Sequence, residues 1–114
     1  MQTVTISGEQ YPVLYNANSL FEFIELSGYS LDKLVTIQKE AGGLTFSQAR
    51  LLIWCGLKEG FLEQGRMFDL TPRDVGKLFD PISENMKYFT EFMKIFRDSI
   101  PVPEVGEKEQ TKKK

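Results

Sequence analysis

The sequence predicts a small α+β domain that is mostly α: an N-terminal β-hairpin packed on a compact bundle of about five helices. Three observations carry that prediction. Residues 2–15 alternate polar and apolar types around a turn, the next eighty residues repeat helical apolar spacing between capping residues, and the chain ends in a charged, proline-containing stretch. The 114 residues suit one core, so residues 1–100 read as a single globular domain and 101–114 as a flexible charged tail.

Each element has a local reason. Gln2-Thr3-Val4-Thr5-Ile6 alternates, Ser7-Gly8 signals a turn, and Tyr11-Pro12-Val13-Leu14-Tyr15 resumes with β-favouring residues. Pro12 has no N–H, which places its strand at an edge. A two-stranded sheet is marginal alone, so a helix should cover the face formed by Val4, Ile6, Val13 and Tyr15.

Asn16, Asn18 and Ser19 offer caps for a first helix over about 19–27, in which Leu20, Phe23, Ile24 and Ser27 share a face before Gly28 stops it. Ser30 caps a second, about 31–40, with Leu31, Leu34, Val35 and Gln38 on one side and Gly42-Gly43 at its end. Thr45-Phe46-Ser47-Gln48 has the spacing of a reciprocal capping box and opens a third helix over 46–63. Its stretch Leu51-Leu52-Ile53-Trp54-Cys55-Gly56-Leu57 is apolar nearly all round, which marks the central core helix. Within it Trp54 reads as a buried anchor and Cys55 as a small core side chain.

Thr71-Pro72 starts a fourth helix over 72–79, with Pro at the first helical position where its missing N–H costs nothing. Asp80-Pro81 restarts the chain for a fifth, 82–99, ending before Pro101 and Pro103. In this last helix Ile82, Met86, Phe89, Met93, Phe96 and Ile100 follow heptad-type spacing, and Tyr88, Phe92 and Ile95 widen the apolar arc. Core is the simpler use of such an arc. A Phe- and Met-rich face is also an adaptable binding surface, because flexible thioethers repack around different partners. The candidate partner-binding residues are Met86, Phe89, Phe92, Met93 and Phe96.

Composition excludes several classes of function. The chain has no histidine and one cysteine, which removes Ser-His and Cys-His catalysis, histidine-bound zinc and thiolate-rich metal sites. No phosphate-binding glycine loop is present and no paired-acid motif can be read from the sequence, so a non-enzymatic protein without cofactor or metal is expected. Residues 1–100 carry thirteen acids against ten bases, which argues against nucleic-acid binding and against a DNA-binding regulator. No apolar run reaches the roughly 20 residues of a membrane span, and Met1-Gln2-Thr3-Val4-Thr5 does not begin a signal peptide. With a lone cysteine, the expected location is cytoplasmic.

Three segments in order carry a family resemblance: the strand-to-helix run Tyr11-Pro12-Val13-Leu14-Tyr15-Asn16-Ala17-Asn18-Ser19-Leu20; Leu44-Thr45-Phe46-Ser47 leading into Leu51-Leu52-Ile53-Trp54-Cys55-Gly56-Leu57; and Asp69-Leu70-Thr71-Pro72-Arg73-Asp74-Val75-Gly76. Over about residues 10–80 the chain resembles the tail assembly chaperones of long-tailed phages. The resemblance implies a phage or prophage protein, acting in the bacterial cytoplasm, that binds and solubilises the tape measure protein and helps recruit tail tube subunits. Self-association is compatible with it. The alternative is a small structural head-tail or tail component of the virion.

Overall fold

A computed structural model describes residues 1–30, 32–34, 36 and 44–99. The predicted tail, Leu31, Val35, Gln38, Gly42-Gly43 and Ile100 lie outside the described residues. The architecture is mostly helical with an N-terminal antiparallel hairpin, as the sequence predicts.

Strands β1 (Gln2–Ile6) and β2 (Glu9–Val13) pair with Ile6 opposite Glu9 and Gln2 opposite Val13. Ser7 and Gly8 both have positive φ, 53° and 84°, which is the type I′ turn whose twist matches the flanking strands. This two-residue turn makes Thr3 and Pro12 a non-hydrogen-bonded pair, so the missing N–H of Pro12 breaks no rung of the ladder. Val4, Ile6, Val13 and Tyr15 are all buried, and helices do cover that face. Tyr15 lies beyond the end of β2 rather than within a strand reaching residue 15.

Helix α1 (Ala17–Ser27) starts two residues earlier than the predicted 19 because Asn16 is the cap. Its side chain accepts from Ser19 N–H while Ser19 Oγ accepts from Asn16 N–H, a closed capping box. Ser30 caps the next turn, accepting from Lys33 N–H, and residues 32–34 and 36 are helical with Leu34 buried. Helix α2 (Phe46–Glu63) has the predicted bounds, but the predicted box is half made. Thr45 Oγ1 accepts from Gln48 N–H at 3.2 Å, while Gln48 Oε1 has turned inward and finds no hydrogen-bond partner among the described residues. As an amide, Gln48 is a weaker acceptor for Thr45 N–H than a carboxylate would be.

Helix α3 (Pro72–Leu78) has the complete box. Thr71 Oγ1 accepts from Asp74 N–H at 3.1 Å, and Asp74 Oδ2 accepts from Thr71 N–H at 2.9 Å. The bonds from Thr71, aided by Lys77 and Arg73, hold the Asp74 carboxyl below its ordinary 3.8. The stabilisation from this cap is therefore fully present above pH 3.8 and is lost as pH falls through the lowered folded-state pKa. An NMR titration should find the Asp74 carboxyl titrating below its unfolded-chain value, and Asp74→Asn should remove that inflection with little change in fold. Titration at the unfolded value would refute the cap.

One predicted helix is two. The span 82–99 divides into α4 (Ile82–Asn85) and α5 (Lys87–Ser99), with Met86 as a turn between them. Phe89 N–H bonds the Met86 carbonyl three residues back, tightening the backbone at the junction. Asn85 is buried and donates its side-chain N–H to the Asp80 carbonyl, tying α4 to the turn before Pro81 rather than to α5.

Helix α2 is central, contacting α1, β2, α3 and α5. Two glycines make the closest contact possible. A Cβ on Gly60 would fall 2.5 Å from the Pro12 carbonyl carbon, and one on Gly56 would fall 2.5 Å from Cζ of Tyr15. Leu14 N–H then bonds the Gly56 carbonyl at 3.0 Å, so β2 runs directly against the helix backbone. The Tyr15 hydroxyl donates to the Leu52 carbonyl at 3.0 Å, and burial raises its pKa well above 10. A salt bridge, Lys58 to Glu22 at 2.9 Å, and a bond from Asn16 Nδ2 to Glu59 Oε1 at 3.1 Å link α2 to α1 and its cap.

Trp54 is half-buried rather than buried. Its Nε1 donates to the Leu70 carbonyl at 2.7 Å, its ring lies 5.8 Å from that of Phe68, and Lys58 sits 5.2 Å from the ring centroid. It therefore fastens the connection between α2 and α3 and does not anchor a helix crossing. An indole needs a partner for its N–H, and here the partner is a loop carbonyl at the surface.

Candidate interaction surface

The C-terminal apolar seam changes depth along its length. Ile82 is 50% exposed and Met86 40%, Phe89 and Met93 are half-buried, and Phe96 is buried. A straight α-helix drifts relative to a heptad repeat, and the seam runs from the short α4 across the turn at Met86 into α5, so one linear spacing does not hold one environment.

Of the five candidate partner-binding residues, Met86, Phe89, Phe92, Met93 and Phe96, two are core. Phe92 is fully buried, with its ring edge-on to Phe79 at 6.2 Å. Phe96 is buried against Tyr15, edge to face at 5.3 Å. Both face inward because the hairpin and α2 need a third apolar surface to close the core, and α5 supplies it. Met86, Phe89 and Met93 remain at or near the surface.

Phe89 connects the core to that surface. On one side it stacks on buried Phe79 with centroids 4.4 Å apart, and on the other it meets Phe46 at 5.5 Å. Phe46 stands at the start of α2 and is 65% exposed. Met86 and Ile82 continue the seam from Phe89 towards the N-terminus of α4, at helix-like spacings of three and four residues. The surface thus carries an apolar strip of Ile82, Met86, Phe89 and Phe46, drawn from the start of α2 and from the α4–α5 segment, which are far apart in sequence. Phe46 is not among the residues that the apolar spacing of the last helix marks. Its position beside a capping threonine reads as a helix start, and no local signal announces a partner forty-three residues away.

The chemistry available elsewhere is slight. Cys55 is fully buried, and desolvation, reinforced by Glu22 and Glu59 against the opposing effect of Lys58, pushes its thiol up to about 12. The only thiol of the chain is thus protonated and enclosed near neutral pH. Among the described residues no group of three or more His, Cys, Asp or Glu is placed to hold a metal ion, and no helix is long and apolar enough to cross a membrane.

In comparisons with known proteins, no family model, no curated protein and no solved structure matches this chain.

Proposed function

We propose that this chain is a non-enzymatic binding protein of the phage tail assembly chaperone kind, which covers apolar helical segments of the tape measure protein and helps recruit tail tube subunits. The observation that carries the binding role is the strip in which exposed Ile82, Met86 and Phe46 are joined through half-buried Phe89, whose ring meets that of Phe46; Phe21, Leu26, Leu62 and Met67 are exposed outside it. Covering such side chains contributes up to roughly 1.5 to 3 kcal/mol each before ordering costs, which suffices for reversible capture of another chain. The identity of the partner rests on the three-part sequence resemblance over residues 10–80. The absence of histidine and the enclosed thiol of Cys55 agree with binding rather than catalysis.

The test is co-expression with the tape measure protein of the same phage or prophage. The double variant Ile82→Glu and Met86→Glu should leave the fold intact, because surface substitutions away from special features change stability by about 0.5 kcal/mol or less. It should leave the tape measure protein insoluble where the wild type keeps it in solution. Full partner solubility with this variant would exclude the strip as the binding face. No effect of the wild-type chain on partner solubility would remove the chaperone reading altogether.

A further inference from the structure

We infer that β1 is a pairing edge through which two copies of this chain join, adding strand to strand in antiparallel fashion to make a four-stranded sheet. The inference rests on the hairpin and not on the apolar strip described above.

The two edges of the hairpin are treated differently. In a hairpin closed by a two-residue turn, the pairs Ile6–Glu9, Val4–Tyr11 and Gln2–Val13 exchange the ladder hydrogen bonds. The N–H and C=O groups of Thr3 and Thr5 therefore point away from β2, and they have no hydrogen-bond partner among the described residues. On the opposite edge only the groups of Gln10 are equally open; beyond it the matching groups are occupied or missing. Pro12 has no N–H, its carbonyl lies against Gly60, and Leu14 N–H is bonded to Gly56. Proteins blunt an open edge with lysine, proline or a bulge. β1 has none of these: its five residues are uncharged, lack proline and pair without a bulge, and although α5 packs against β1, Thr3 and Thr5 stay exposed.

The fit to a second copy comes from the sequence of the strand itself. Thr3-Val4-Thr5 reads the same in both directions, so a two-fold axis through Val4 sets Thr3 opposite the partner's Thr5, and Thr5 opposite the partner's Thr3. Each pair exchanges two backbone hydrogen bonds, and Val4 meets the partner's Val4 at the axis. No two charges are brought opposite each other, and threonine opposite threonine is a favourable cross-strand pair.

Sedimentation of the full chain over a range of concentrations should show a monomer converting to a dimer. The double variant Thr3→Pro and Thr5→Pro should weaken dimerisation by about tenfold or more, since it removes the outward donors. It should spare the hairpin, because neither N–H serves the ladder, and amide protection at Val4 and Ile6 reports this. Met86→Glu should dimerise like the wild type. A chain that stays monomeric up to about 1 mM overturns the inference. So does a dimer lost in Met86→Glu but kept in the proline variant, or one whose partner is another part of the surface. Should the proline variant unfold, wild-type amide exchange decides: protection of Thr3 and Thr5 must rise with concentration, and its failure to do so counts against pairing.

Discussion

Replacing Gly60 with alanine is expected to destabilise the protein by about 3 kcal/mol or more, against the preference of an isolated helix. In a solvent-exposed helix the same change would be favourable by roughly 1 kcal/mol, because alanine is the better helix former. Here the added Cβ would meet the Pro12 carbonyl and lie 2.9 Å from Val13 N, both of them backbone atoms. Backbone cannot rotate away as a side chain can. Relief would require β2 to shift off α2, which would stretch the bond from Leu14 N–H to the Gly56 carbonyl and expose Val13. In a domain of this size each kcal/mol corresponds to roughly 4 to 8 °C in melting temperature, so the loss should be plain in a thermal melt. An unchanged or raised melting temperature would mean that β2 does not rest on the helix backbone at this point. Gly56→Ala should cost less, about 1 to 3 kcal/mol, because its obstacle is the Tyr15 ring, a side chain with some freedom to move.

Phe92→Ala should cost about 3 to 5 kcal/mol, the range for emptying a buried aromatic site. Met86→Ala, six residues earlier in the same apolar sequence, should change stability by about 0.5 kcal/mol or less. The contrast follows from position alone: Phe92 is fully enclosed beside Phe79, and Met86 is 40% exposed. Urea unfolding of the two variants measures it directly. Equal losses would show that the C-terminal helix is buried along its whole length and that no binding strip exists there. Equal indifference would show that the helix does not pack on the core.

The division between inward and outward residues on this helix shows where sequence reading stops. Heptad-type spacing marks Ile82, Met86, Phe89, Met93 and Phe96 as one stripe, which is correct as periodicity on a continuous helix. It does not contain the turn at Met86, nor the fact that the hairpin and α2 present their open face to Phe92 and Phe96. Trp54 follows the same logic. Its neighbours in sequence announce a core helix, while the carbonyl that receives its N–H belongs to Leu70.

The sequence by itself determined where the elements begin and end wherever the signal lies within a few residues. Ser7-Gly8 set the turn, Thr45 and Thr71-Pro72 set two helix starts, and Gly28 ended the first helix, because caps and turns satisfy backbone groups locally. It also determined which strand face would be covered, since alternation leaves Val4 and Ile6 no other role. Only the tertiary structure decided that Gly56 and Gly60 receive a strand, that Phe46 meets Phe89, and that two of five candidate binding residues lie in the core. Each of these depends on a neighbour distant in the chain. Burial is a property of the whole packed surface, and a residue's local pattern carries no record of what is brought against it.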